Sequence, residues 1–284
     1  MKKILALLLA LCMIFALAAC GEAATDPSEA PASDAPESEA PADESPAAES
    51  DLAYVQEKGT LIVGITNFEP MDYQNENGEW IGFDADLAKA FAESLGVEVQ
   101  FQEIEWDNKV FELDGKTIDV VWNGMTLTDE VLSAMECSNA YCNNAQVVIL
   151  PADIAEDYPD AASMADLQFA VESGSAGETM AIENGFNYTP VVDQATAVLE
   201  VSSGTCDAAI IDSLMAAAMV GEGTSYADLT YTINLNSEEY GVGFRKGSDL
   251  AAALNEFFAS AWADGTMQEL AETYGVSAAL IAQE

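Results

Sequence analysis

Asp212 closes the segment Asp207-Ala208-Ala209-Ile210-Ile211, and a carboxylate there has two chemistries open to it. It can cap a helix beginning at Ser213, or it can accept a charge-assisted hydrogen bond from the ammonium of a bound solute. Phe68 and Trp106 are rings beside polar neighbours, Glu69-Pro70 and Asp107-Asn108. Each is either a core ring or a cleft wall, and those neighbours favour a cleft or a surface. Gly174-Ser175-Ala176-Gly177 has the glycines of a phosphate loop without its lysine, so that reading is set aside. The 284 residues include no histidine, which removes Ser-His-Asp and Cys-His catalysis and most zinc chemistry. No catalytic residue is assigned, and neither a metal nor a cofactor is expected.

Charge narrows the partners further. Fifty acidic side chains against eight basic ones leave a net charge of −42, and Arg245 is the single arginine. Nucleic acid is excluded as a partner, because a phosphate backbone needs clustered Lys and Arg. Half of the residues are hydrophobic, enough for one large domain or two of ~100–150 residues. Binding is favoured over turnover.

The elements that must position these residues alternate between strand and helix. A buried strand is expected at 61–65, then a hairpin turning at 75–78. Asp84 is expected to cap a helix with apolar positions Leu87, Ala88, Phe91 and Leu95, ended by Gly96. Strands at 97–104 and 118–122 flank a short helix near 110–113, and another helix starts near Thr128. In the second half, strands are expected at 147–150, 169–171, 191–192, 208–211, 229–233 and 240–244. Helices are expected at 176–184, from Asp193 to Gly204, and at 213–220, 248–263 and 266–274. Such alternation predicts parallel sheets covered on both faces, with ligands beyond the carboxyl ends of the strands. That rule directs attention to the residues following Ile65, Trp122, Val171 and Ile211.

Ahead of this body, residues 1–20 read as a secretory signal: Lys2 and Lys3, an apolar run, then Leu17-Ala18-Ala19-Cys20-Gly21. The ending resembles a bacterial lipobox, which makes Cys20 the lipidated first residue of the mature chain; an ordinary signal in which Cys20 is incidental is the alternative. Residues 21–50 are rich in Ala, Pro, Ser and acids and lack large apolar groups, the composition of a disordered tether. Cys137, Cys142 and Cys206 remain in the body. A bridge between the first two and three free thiols are both open.

Several stretches in order carry a resemblance: LIVGITNFEPMDYQNENGEWIGFDADLAKAFAESLG, VQFQEIEWDN, GKTIDVVWNGMTLTDE, GTCDAAIID, YGVGFRKGSDL and ADGTMQELAETYG. Together they resemble family-3 extracellular solute-binding proteins, the receptors of ABC importers for polar amino acids. The resemblance implies an α/β, two-lobed, periplasmic-binding-protein-like (type II) fold with two crossover strands, preceded by the signal peptide and tether. Lobe 1 would be discontinuous, 51–145 plus 240–284, and lobe 2 would span 146–239. It further implies that Phe68 and Trp106 wall the ligand, and that Asn123, Gly124, Met125 and Thr126 bind its α-carboxylate and α-ammonium. Ser175 and Ala176 would add backbone N–H donors, and Asp212 would pair with the ammonium. A monomer held at the outer face of the cell membrane by its lipid would deliver an amino acid or amine to an ABC permease and ATPase.

One departure matters. The family's loop continues T-x-x-x-x-R, and Val131 stands where that arginine would grip the ligand's carboxylate. Arg245 matches a basic residue of the C-terminal strand and is no substitute. An unpaired buried carboxylate costs several kcal/mol, whereas a helix N-terminus offsets ~1–2 kcal/mol. Dicarboxylic and phosphorylated ligands are therefore not expected; a zwitterionic or cationic amino acid, or a non-amino-acid amine, fits better. A sensor domain and an enzyme of the same fold, such as a cyclohexadienyl dehydratase, are the rival readings.

Overall fold

The computed structural model describes residues 50–283. The expected signal at 1–20, Cys20 and all but the last residue of the 21–50 tether lie outside the described residues. Helix α1 (Asp51–Lys58) leads into β1 (Thr60–Ile65), and a hairpin of β2 (Tyr73–Gln74) and β3 (Trp80–Ile81) precedes α2 (Phe83–Leu95) and β4 (Glu98–Glu103). A 3-10 turn, Trp106–Asn108, and α3 (Lys109–Asp114) bring the chain to β5 (Val120–Thr126), α4 (Asp129–Ala134), β6 (Glu136–Cys137) and β7 (Cys142–Asn144). Next come β8 (Gln146–Pro151), β9 (Gln168–Glu172), α5 (Ala176–Asn184), β10 (Asn187–Val191), α6 (Gln194–Ser202), β11 (Ala208–Asp212) and α7 (Ser213–Met219). The chain ends through β12 (Leu229–Asn234), β13 (Glu238–Phe244), α8 (Leu250–Asp264) and α9 (Thr266–Thr273).

Two sheets organise these elements. The first runs β4-β1-β5-β13-β6, with β7 also on β13; the second runs β10-β9-β11-β8-β12. Neither is the purely parallel sheet that the alternation predicts. β1 lies parallel to β4 and β5, and β9 parallel to β10 and β11, but β13 is antiparallel to β5 and β8 is antiparallel to β11 and β12. The reversed strands belong to the two segments that pass from one sheet to the other. β7 pairs with β13 in the first sheet, and β8, one residue later, pairs with β12 in the second. Each crossing segment therefore has the other as its antiparallel neighbour on both sides of a break. The break is bridged by the Leu235 N–H to the Gln146 carbonyl at 2.8 Å and the Gln146 N–H to Asn236 Oδ1 at 2.7 Å.

Local rules explain much of the rest. Leu61, Val63 and Ile65 of β1 are fully buried, and α2 packs Leu87, Ala88 and Phe91 into the same core. Gly96 ends α2 in the left-handed region at φ 75°, which a glycine adopts without Cβ strain. Asp84 does not cap α2. Gly82 occupies that position, where a Cβ would lie 2.1 Å from the Met71 carbonyl oxygen. Asp84 sits one residue inside the helix and reaches elsewhere. The strand expected at 191–192 lies at β10 instead. It is a sheet edge with largely exposed side chains, so the apolar run that marks buried strands is missing. Cys137, Cys142 and Cys206 are free thiols.

Arg245 is engaged beneath the first sheet. Its Nε meets both Asp51 carboxylate oxygens at 3.0–3.1 Å, and Nη1 donates to the Ile118 carbonyl at 2.9 Å. The chain's one arginine thus ties α1 to the segment leading into β5.

Candidate functional site

A cavity of about 350 Å3 is lined by strand ends and helix starts from both sheets. The nine residues read from sequence, Phe68, Trp106, Asn123, Gly124, Met125, Thr126, Ser175, Ala176 and Asp212, all line it. So does Val131, packed among Trp106 and Met125.

The β5 end is held rigidly. Asn123 Oδ1 accepts from the Thr66 N–H and its Nδ2 donates to Asp72 at 3.2 Å, so this side chain splices β5 to the loop after β1. Asp84 Oδ2 accepts from the Gly124 N–H and from the Tyr141 hydroxyl, both at 2.7 Å. Burial raises Asp84 to about 7, against the lowering bonds from Tyr141 and Gly124. Gly124 has φ 55°, and a Cβ there would come within 2.5 Å of Phe68 Cε1. Glycine is what lets the Phe68 ring approach this strand so closely. The ring's other support is Tyr240, edge-on at 6.3 Å. Thr126 donates its hydroxyl to Glu238 at 2.9 Å.

Across the cavity, Ser175 is the N-cap of α5, its Oγ accepting from the Glu178 N–H at 3.1 Å. The Ala176 and Gly177 N–H groups, in the first turn, have no intrahelical acceptor. A Cβ at Gly177 would lie 2.9 Å from the Ile210 carbonyl, so the helix start packs directly on β11.

Asp212 is 4 % exposed. It does not cap α7 with its side chain. Oδ1 accepts from Asn144, from Gln146 at 3.0 Å and from the Tyr240 hydroxyl at 2.7 Å, while Oδ2 accepts from Gln194. Both crossing segments thus converge on this carboxylate. Burial first, then the adjacent Glu238 charge, push its pKa up to about 8, with Tyr240 and Gln194 acting in the opposite sense. Oδ1 accepts from three donors and Oδ2 from one, leaving Oδ2 the greater unused acceptor capacity.

Glu172, at the end of β9, was absent from the site read from sequence. It lines the same cavity at 2 % exposed, and its Oε1 has no hydrogen-bond partner among the described residues. Burial, then Asp212 and Asp193, raise it to about 8, while Lys109 and Gln194 lower it. Lys109 is the one basic side chain in the lining among the described residues. Its Nζ donates to the Trp106 and Gly174 carbonyls at 3.1 and 3.0 Å, joining the turn after β4 to the loop after β9. Burial lowers its pKa, offset first by Glu172. The signal for Glu172 was in the chain: it is the residue directly after Val171. The four residues that follow Ile65, Trp122, Val171 and Ile211 are Thr66, Asn123, Glu172 and Asp212, and all four line the cavity. Lys109 has no comparable marker.

Two mixed sheets joined by paired crossing segments, with a ring-walled cavity between their strand ends, define a receptor that holds a small solute. The chain belongs to the bacterial extracellular solute-binding proteins, family 3, whose model matches residues 61–277. Its fold is the two-lobed type II periplasmic-binding-protein fold. The crystal structure of the ancestral amino acid-binding protein AncCDT-1, a precursor of cyclohexadienyl dehydratase, matches with a TM-score of 0.72 and 31% identity, covering 79% of this chain and 99% of that one. The L-cystine-binding protein TcyJ of Escherichia coli (strain K12) is 30% identical over 224 residues, 78% of this chain and 84% of that protein. The arginine-binding extracellular protein ArtP of Bacillus subtilis (strain 168) is 28% identical over 282 residues, 95% and 96% of the two chains.

Proposed function

We propose that this solute-binding protein captures an amino acid between lobes 51–145 plus 240–284 and 146–239, and delivers it to an ABC permease and ATPase. The ligand is zwitterionic or cationic, not dicarboxylic. The observation that carries this reading is the cavity in which rings and a buried carboxylate converge: Phe68 and Trp106 on one side, Asp212 on the other. The ammonium would meet Asp212 Oδ2, and the α-carboxylate would take N–H donors at the start of α5 in place of the arginine that Val131 displaces. Closure is a population shift, because a ligand bridging both lobes binds the closed form better than the open one. The chain acts by binding, without catalysis, as a monomer anchored to the outer face of the cell membrane through a lipid on Cys20.

Titration calorimetry of the purified chain against the standard amino acids and small amines tests this. One or a few amino acids should bind, with aspartate and glutamate silent. Binding of neither amino acids nor amines, or preference for a dicarboxylate, would refute it. Radiolabelled palmitate incorporation that disappears in Cys20→Ala tests the anchor separately.

A further inference from the structure

The cavity places more buried carboxyl groups in its wall than one ammonium can answer. Asp212 and Glu172 are both buried in its wall, and among the described residues neither has a Lys or Arg nitrogen within 4.0 Å. The Gln194 amide sits against both: it bonds Asp212 and favours the ionised form of Glu172. Lys109 acts on Glu172 only from a distance, its Nζ being engaged by two backbone carbonyls. Glu172 Oε1 is a buried acceptor to which nothing among the described residues donates. A carboxylate so placed is disfavoured unless a cation or donor arrives. Glu130, Asp107 and Glu178 add acidic groups to the same lining, and no basic side chain there besides Lys109 offsets them.

We propose that Glu172 is a second cation-recognition residue of this cleft, so that the ligand carries a positively charged nitrogen in addition to the one met by Asp212. The inference rests on the proposed solute-binding reading of the site and narrows it. The chemistry required is two cationic nitrogens on one small molecule, which a basic amino acid and a carboxylate-free diamine both supply. Glu172 takes the nitrogen remote from Asp212, beyond the Gln194 amide. A neutral side chain in its place would leave Oε1 buried and unanswered, which is the basis of discrimination.

Calorimetry with L-arginine, its neutral isostere L-citrulline, L-lysine, L-norleucine, agmatine and cadaverine decides the matter. The wild-type chain should prefer arginine to citrulline and lysine to norleucine by about 30-fold or more, the ratio that a buried charge pair commands. Glu172→Gln, close to isosteric, should abolish that preference by lowering arginine or lysine affinity about 30-fold or more, with an unchanged circular-dichroism spectrum reporting that the variant is folded. Agmatine and cadaverine separate the two sources: tight binding of either identifies a diamine ligand, and their failure beside tight arginine or lysine binding identifies a basic amino acid. If neutral amino acids bind as well as cationic ones, or Glu172→Gln leaves the preference intact, the inference falls and the solute-binding reading survives. Failure of these probes and of every standard amino acid would overturn both.

Discussion

Asp212 serves two structural masters at once, and this shapes how its role must be tested. Replacing it with alanine would strand the buried Tyr240 hydroxyl, at a cost of about 1–3 kcal/mol, and would take one of two acceptors from Asn144 and Gln146, which keep Glu238. Asp212→Asn keeps the shape and most of the acceptor capacity. It should weaken binding of the ammonium-bearing ligand by about 30-fold, read by calorimetry, since the charge that attracts the ammonium is gone. Unchanged affinity would place the ammonium elsewhere. Val131 poses the converse test. Val131→Arg introduces a guanidinium at the cleft wall, where two parallel bonds to a carboxylate become available. Affinity for an α-amino acid should rise by about 10-fold, or about 1.4 kcal/mol, while a carboxylate-free amine gains nothing. The added volume beside Trp106 and Met125 should cost about 1–3 kcal/mol of stability, visible as a lowered Tm.

At the scale of elements, the loop between β9 and α5 must come very close to the turn that follows β4. Gly174 has φ 72°, and a Cβ there would lie 2.6 Å from the Asp107 Cα. Both facts demand glycine, and the second involves backbone that cannot move aside cheaply. The Lys109 bond to the Gly174 carbonyl fastens the same approach at 3.0 Å. Gly174→Ala should therefore hold the two loops apart and lower ligand affinity by about 10-fold or more, with left-handed strain adding about 1–2 kcal/mol to the cost of the folded state. Small-angle scattering with saturating ligand should then show incomplete compaction relative to the wild-type chain. Equal compaction would mean that closure does not run through this contact.

The whole molecule carries a pH dependence opposite to that of proteins stabilised by paired carboxylates. Asp84 is raised to about 7, Glu172 and Asp212 to about 8, and Asp72 well above its ordinary range, burial being the leading cause in each. Unfolded, the same groups titrate near pH 4, so between about 4 and 8 the folded chain holds more protons than the unfolded one. Their contribution to stability is fully present below that window and is lost as pH rises through the folded values. The net charge of −42 acts in the same direction through self-repulsion. Without ligand, Tm by calorimetry should fall by several degrees between about pH 5.5 and 8.5, and a flat or rising profile would contradict the assignment. A cationic ligand should restore most at the alkaline end, where the cleft carboxylates are ionised.

Residue order alone determined most of the strands and helices, the glycines that end several of them, and that the ordered motifs belong to a solute-binding family. These follow from neighbours a few positions apart, such as Gly96 after α2 or Ser175 before α5. The strand-end rule also pointed at Glu172, although nothing local distinguishes it from any acid that ends a strand. Tertiary structure decided that Asp84 leaves the cap to hold Gly124, that Asp212 collects donors from both crossing segments, and that Glu172 keeps an oxygen without a partner. Those properties depend on desolvation and on groups brought in from distant parts of the chain. A carboxylate's charge, unlike its place in a helix or strand, is set by whatever surrounds it after folding.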